Sequence, residues 1–343
     1  MNKNYTQRLD KLRKRRLDES LQKAVLTKSF SDINISESVK YSLEAMSEID
    51  ANYTKNTYLA SENIRTNLTS GLGKKGLSVE YRHQGSIETN THIKIHSDID
   101  ILVFTDKYFS VEPPITVTSV YQGDPLNDLK ELRQECFSIL NATYNQVDNS
   151  NSKAIAVYPT NPKRKVEVVP SNWLDTSDFR NTASEVHRGI HIYNKDNHTR
   201  FKDFPFLHIS RVNTKDGLVN GGLRKLSRLL KTLKADADYE IKLSSFEIVS
   251  SVYDMDNASL YKSSTQQLLL LNEGSKQIQK LISDSSYREN LMSPNGKEKV
   301  FGTDSGKVVE LKKLKLELDE LAQDVTEELG RKLKRIDESL IYS

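Results

Sequence analysis

Between Tyr81 and Phe104 the chain reads YRHQGSIETNTHIKIHSDIDILVF: Gly85-Ser86, eleven intervening residues, then Asp98-Ile99-Asp100 inside the apolar run DIDILVF. Successive side chains of a strand point to opposite faces, so Asp98 and Asp100 are predicted to share one face and Ile99 and Ile101 the other. Two carboxylates on one strand face repel and resist burial, and a divalent cation bound between them removes that penalty, which makes Mg²⁺ the expected partner. A Gly-Ser turn just upstream offers backbone N–H groups and a hydroxyl to anionic oxygens, because glycine lets a phosphate approach closely. Gly-Ser alone is an ordinary turn and Asp-x-Asp alone an ordinary solvated strand edge. At this spacing the two together point to phosphate and metal meeting in one place.

At 343 residues the chain exceeds what one hydrophobic core usually supports, so two lobes with a cleft between them are expected. Hydrophobic content of 36% beside 28% charged residues describes a globular protein, and no apolar run approaches the roughly 20 residues that cross a bilayer. The start, MNKNYTQRLDKLRKRRLDES, is basic but lacks the apolar segment of a secretory signal, which predicts a cytoplasmic protein without membrane partners. Cys136 is the single cysteine, excluding an intrachain disulfide and a cysteine-rich zinc cluster. A net charge of +3 provides no extended nucleic-acid track.

Leucine spacing predicts a basic helix from Tyr5 to about Ala24 with a solvated charged face, and a long bracing helix from Ser36 and Lys40 to about Leu72. ITVTSVY, Ile115 to Tyr121, reads as a strand, and Asp124 to Tyr144 as an amphipathic helix with an acidic first turn. Ala154 to Tyr158 and Lys165 to Val169 read as a hairpin. Within VEVVP, Glu167 falls on the face opposite Val166 and Val168, either as a lone surface acid or as a third carboxylate beside Asp98 and Asp100. In the second case Lys163, Arg164 and Lys165 would rim the cleft.

Past Asp203 the pattern becomes almost wholly helical. The helix opening after Asn220 sets Leu223, Leu226, Leu230 and Leu233 on one face and a cationic stripe of Arg224, Arg228 and Lys231 on a neighbouring one. Such a stripe is either a solvated flank or a partner for polyphosphate. Ser244-Ser245-Phe246 begins a further helix, where a serine caps the start near incoming phosphate. From Lys307 the spacing of Leu311, Leu314, Leu318, Leu321 and Val325, continued by Leu329, Leu333 and Ile336, is coiled-coil-like but predicts an amphipathic helix packed on its own bundle.

The Gly-Ser to Asp-x-Asp spacing resembles the hallmark of the nucleotidyltransferases that include DNA polymerase beta. With the acid in VEVVP, LLKTLK and SSF, the order resembles the cGAS-like bacterial nucleotidyltransferases called CD-NTases, from about Lys40 to Met255. The resemblance implies an α+β fold: a polymerase-beta-like sheet lobe with N-terminal helices over residues 1–203, and a C-terminal helical-bundle lobe over 204–343 that closes the nucleotide cleft. It implies an enzyme that joins NTPs, ATP or GTP foremost, into a cyclic di- or trinucleotide by two-metal phosphoryl transfer, in antiphage signalling through an effector that the product activates.

Carried over residue by residue, Gly85 and Ser86 contact triphosphate, and Asp98, Asp100 and Glu167 are catalytic and hold two Mg²⁺, with Mn²⁺ as a substitute. Lys231 and Ser245 meet phosphate, and Phe246 stacks on a base. The family usually has Asp where Glu167 stands, and many relatives have Tyr where Phe246 stands. A monomer or weak oligomer is expected. The competing readings are an RNA-extending or small-molecule nucleotidyltransferase and a catalytically inactive nucleotide sensor.

Overall fold

The computed structural model describes residues 3–16, 36–93 and 99–341, with side chains to residue 331. Two compact units divide the chain: Asp50–His92 with His96–Arg211, and Met1–Ile49 with Ile93–Ile95 and Val212–Ser343.

The chain opens with α1 (Tyr5–Arg16) and α2 (Glu37–Met46), breaks at Ser47–Asp50, and re-enters helix as α3 (Ala51–Lys74). The single long helix expected from Ser36 to Leu72 is therefore two. Asp50 causes the restart: its carboxylate accepts the Asn52 N–H at 2.9 Å, satisfying a donor that a helix start leaves orphaned. The remainder of the basic helix expected to Ala24 lies outside the described residues.

Among the described residues, the sheet unit holds eight strands: β1 (Val79–Gln84), β2 (Ile99–Thr105), β3 (Ser110–Val111), β4 (Val147–Asp148), β5 (Ile155–Val157), β6 (Val166–Asp175), β7 (Gly189–Asn194) and β8 (Thr199–Asp203). Their order is β1-β2-β6-β5-β4, with β3 and β7 on the second half of β6 and β8 on β7. The ten-residue β6 is the hub, parallel to β2 and antiparallel to β5. The β5–β6 pairing is the hairpin expected from the sequence.

Residues 115–121 form no strand, and Val117 and Val120 are exposed. β-branched residues favour a strand only where a neighbouring edge pairs with them, so tertiary context overrides propensity here.

Alternation along β2 and β6 sorts the core. Ile99, Ile101, Val103, Val166 and Val168 pack with Ala60, Ile64, Leu68 and Leu72 of α3 and with Leu132, Cys136 and Leu140 of α4 (Pro125–Thr143). The opposite face carries Leu102, Phe104, Val169 and Trp173, with Phe104 stacked on Trp173 at 3.9 Å. Each such side chain contributes about 1.5–3 kcal/mol on burial. A short α5 (Ser177–Thr182) follows β6.

α6 (Pro205–Leu218) begins in the sheet unit and continues from Val212 in the helical unit, which adds α7 (Gly222–Asp236), α8 (Ser245–Tyr253), α9 (Asn257–Leu260), α10 (Leu269–Ser283), α11 (Ser285–Asn290) and α12 (Gly306–Ile341). Leu223, Leu226, Leu230 and Leu233 of α7 share one core with Leu311, Leu314, Leu318, Leu321 and Val325 of α12 and with Tyr5, Leu9 and Leu12 of α1. The coiled-coil-like spacing thus serves packing within this unit over Leu311–Val325. α1 and α2, expected with the sheet lobe, group with the C-terminal helices instead. Nor is the basic face of α1 wholly solvated: Arg8 is buried, its Nη1 2.8 Å from Glu317 Oε2. Among the described residues, no helix is long and apolar enough to cross a membrane.

Candidate active site

β1 runs antiparallel to β2 with Gln84 opposite Asp100, and the chain then leaves the sheet at Gly85 with φ +97°. An L side chain rarely adopts that conformation. A Cβ at Gly85 would also stand 3.1 Å from Asp100 Oδ2. Glycine therefore serves two needs, letting the chain turn and letting it lie against the carboxylate.

The turn that follows is closed by the Thr91 N–H donating to Ser86 O at 2.9 Å and the Asn90 N–H to Ile87 O at 3.0 Å. Ile87 is buried in the core beneath the sheet and anchors it. Ser86, two residues past the end of β1, stays half-buried.

On the other side of β2, Asp100 is in register with Glu167 of β6. Neighbouring strands lie about 4.8 Å apart, and residues in register share a sheet face. Both acids are half-buried, at the end of the face whose farther part is filled by Leu102, Phe104, Val169 and Trp173. Lys165, two residues before Glu167 and so on the same face, places Nζ 2.6 Å from Glu167 Oε1. The sequence alternation contained that pairing, although it was read only as a rim charge.

Asp98 lies outside the described residues. Among the described residues, no group of three or more His, Cys, Asp or Glu side chains is arranged to hold a metal ion. Asp100 and Glu167 are nonetheless adjacent hard-oxygen donors, the chemistry that Mg²⁺ requires.

Arg164, expected on the rim, turns inward and is only 2% exposed. Its Nε donates to Thr57 Oγ1 of α3 at 3.3 Å and its Nη1 to Lys163 O at 2.8 Å, with the guanidinium 6.0 Å from the Tyr53 ring.

Lys231, Ser245 and Phe246 belong to the helical unit. Lys231 on α7 is buried, and that burial, with Lys234 and Arg228 nearby, pushes its ammonium down to about 8. The other members of the expected stripe are bound into the unit. Arg224 Nη1 pairs with Asp216 Oδ2 at 3.1 Å and Arg228 Nε donates to Met46 O at 2.8 Å. Burial pushes Arg228 down to about 10.

At the start of α8 the cap is Ser244: its Oγ accepts the Glu247 N–H at 3.1 Å while its own N–H donates to Glu247 Oε2 at 2.6 Å. That leaves Ser245 exposed on the first turn, with Phe246 half-buried after it.

A mixed sheet presenting a Gly-Ser turn and paired acids on one face is the arrangement expected of a nucleotidyltransferase. No protein-family model matches the chain. Whole-chain relatives do. It is 30% identical to a c-di-GMP synthase of Flavobacteriaceae sp., over 95% of this chain and 98% of that one, and 30% identical to the cyclic dinucleotide synthase CdnE of Yersinia aleksiciae, over 96% and 93%. The solved STING-associated CdnE c-di-GMP synthase from Capnocytophaga granulosa is 34% identical and superposes with a TM-score of 0.81, covering 95% of this chain and 99% of that one. The chain belongs to the CD-NTases, the cGAS-like bacterial family, and is a cyclic oligonucleotide synthase that uses NTPs.

Proposed function

We propose that this enzyme condenses two molecules of GTP into cyclic di-GMP, using Asp98, Asp100 and Glu167 to hold two Mg²⁺ ions. The observation that carries the site assignment is the register of Asp100 with Glu167, with Gly85 against Asp100. The choice of GTP is supported by the relatives from Flavobacteriaceae sp. and Capnocytophaga granulosa, both c-di-GMP synthases. The latter is described as STING-associated, which supports a cyclic-dinucleotide-binding effector downstream and a role in antiphage signalling.

Each transfer joins a ribose oxygen to an α-phosphorus and breaks the bond to the β-phosphate, releasing pyrophosphate; the second closes the ring. Bound divalent ions supply charge neutralisation and lower the pKa of the attacking hydroxyl. The chain's own residues fix where this occurs. The Gly85-Ser86 turn would orient the triphosphate by backbone N–H groups, Asp98, Asp100 and Glu167 would hold the divalent ions, and Glu167 would accept the proton of the attacking hydroxyl. Lys165 neutralises Glu167 until the site fills. Lys231 and Ser245 add phosphate contacts, and Phe246 stacks on a base.

Radiolabelled GTP, ATP, CTP and UTP, singly and together with Mg²⁺ or Mn²⁺, followed by phosphatase and mass spectrometry, test the reading. A phosphatase-resistant cyclic di-GMP from GTP alone is expected. A ladder would indicate an RNA extender, and no product a nucleotide sensor.

A further inference from the structure

The first turns of α3 carry Thr54, Thr57, Tyr58 and Ser61, whose spacing puts them on one helical stripe. Each meets a residue close in sequence to the proposed site. Thr54 Oγ1 is 3.4 Å from His92 Nε2, Thr57 Oγ1 accepts from Arg164, Tyr58 OH donates to Glu88 Oε1 at 2.7 Å, and Ser61 Oγ lies 2.9 Å from His83 Nε2. His83, Glu88 and His92 bracket Gly85-Ser86. Farther along α3 the stripe becomes apolar, at Ile64, Leu68 and Leu72, where it packs on the sheet.

The change from apolar to polar has a physical meaning. Apolar packing holds a helix against a sheet without prescribing the orientation of a turn, whereas a hydrogen bond is directional, and leaving a buried partner unpaired is costly. Burial and the Glu88 carboxylate together hold the Tyr58 hydroxyl well above the ordinary phenol range, so it stays a donor at every working pH. Burial lowers His83, which therefore faces Ser61 as a neutral ring. The Tyr58 and His83 rings also meet edge to face at 5.3 Å. Through Glu88, α3 takes hold of the 86–90 turn from the side.

We infer that Tyr58 is a positioning residue that acts through Glu88 to fix the Gly85-Ser86 turn in the orientation that receives a triphosphate. The inference rests on the reading of that turn as the phosphate cradle. Without the tether, the turn keeps its own closing bonds and its buried Ile87 but loses the lateral bond that sets the direction of its N–H groups. The consequence falls on nucleotide binding first.

The test is steady-state kinetics on GTP for Tyr58→Phe, Glu88→Ala, Glu88→Gln and the double variant Tyr58→Phe/Glu88→Ala, each with a thermal melt. Tyr58→Phe and Glu88→Ala should each raise KM roughly tenfold with little change in kcat, because misaligned donors weaken ground-state binding. The double variant should be no worse than Glu88→Ala alone, since the bond that Tyr58→Phe removes is already lost there. Glu88→Gln, which keeps an acceptor oxygen, should restore most of the loss.

A merely structural role would lower the melt and the active fraction while leaving KM unchanged. That result, wild-type KM in Tyr58→Phe, or losses that multiply in the double variant would overturn the inference. Gly85→Ala run alongside separates the two levels. Full activity in Gly85→Ala overturns the cradle itself, whereas an inactive Gly85→Ala beside a normal Tyr58→Phe overturns only the positioning role.

Discussion

A Cβ added to Gly85 would lie 3.1 Å from Asp100 Oδ2, so the turn and the acidic strand are fitted to one another through the absence of a side chain. Gly85→Ala should therefore act twice. Forcing an alanine to φ +97° costs about 1–3 kcal/mol of stability, and the methyl displaces the carboxylate from its position. Denaturant melts should show the first effect. Turnover reduced by roughly a hundredfold in the remaining folded protein should show the second.

Arg164 makes a prediction opposite to that of a rim cation. Its buried guanidinium holds Thr57 and the Lys163 carbonyl, and truncation leaves a cavity with unpaired groups. Arg164→Ala should lower stability by about 2–4 kcal/mol, with KM for nucleotide little changed in the folded fraction. Urea unfolding and kinetics on one preparation measure both.

The proposed phosphate contact of Lys231 would make nucleotide binding depend on pH. Burial holds it at about 8 in the folded chain against an ordinary 10.5, so between those values the unfolded chain carries the extra proton. Stability should rise as pH climbs through that window, and the penalty for burying the charge is fully present below it. With Lys231 in its proposed role, triphosphate affinity should fall over the same window, because the free protein loses that cation. KM measured from about pH 7 to 9.5 should increase in the wild type and stay flatter in Lys231→Ala.

Glu317 ties α1 to α12, with Lys3 Nζ at 2.7 Å and Arg8 Nη1 at 2.8 Å. Burial pushes its carboxyl up, but the hydrogen bonds from Lys3 and Arg8 outweigh burial and hold it below the ordinary 4.5. Its contribution is complete above pH 4.5 and is lost as pH falls through the folded value. Glu317→Gln should cost about 3 kcal/mol at neutral pH, with the difference narrowing under acid in melts run across the pH range.

Much of the sheet-side site was legible because alternation is a local rule. It placed Asp100 and Glu167 each on the face opposite its apolar neighbours, and the β5–β6 hairpin and the helix after Asp124 follow from equally local signals. Asp98 falls outside the described residues, so its place on that face stands as a proposal. What was misread depends on distant partners. Lys163-Arg164-Lys165 names three cations without saying that one meets Thr57 and Tyr53 of a helix about a hundred residues earlier. Likewise, nothing in the α1 sequence points to Glu317. The serine cap expected at Ser244-Ser245 is Ser244, and the capping box Ser244-x-x-Glu247 is the local signal that distinguishes it from Ser245.

The most direct test of the central claim is mass spectrometry of the phosphatase-treated product made from GTP and Mg²⁺ by the wild type and by Asp100→Asn/Glu167→Gln, two preparations matched in thermal melt. The account predicts cyclic di-GMP from the wild type and no cyclic product from the variant. Cyclic product from the variant at near wild-type yield would contradict it.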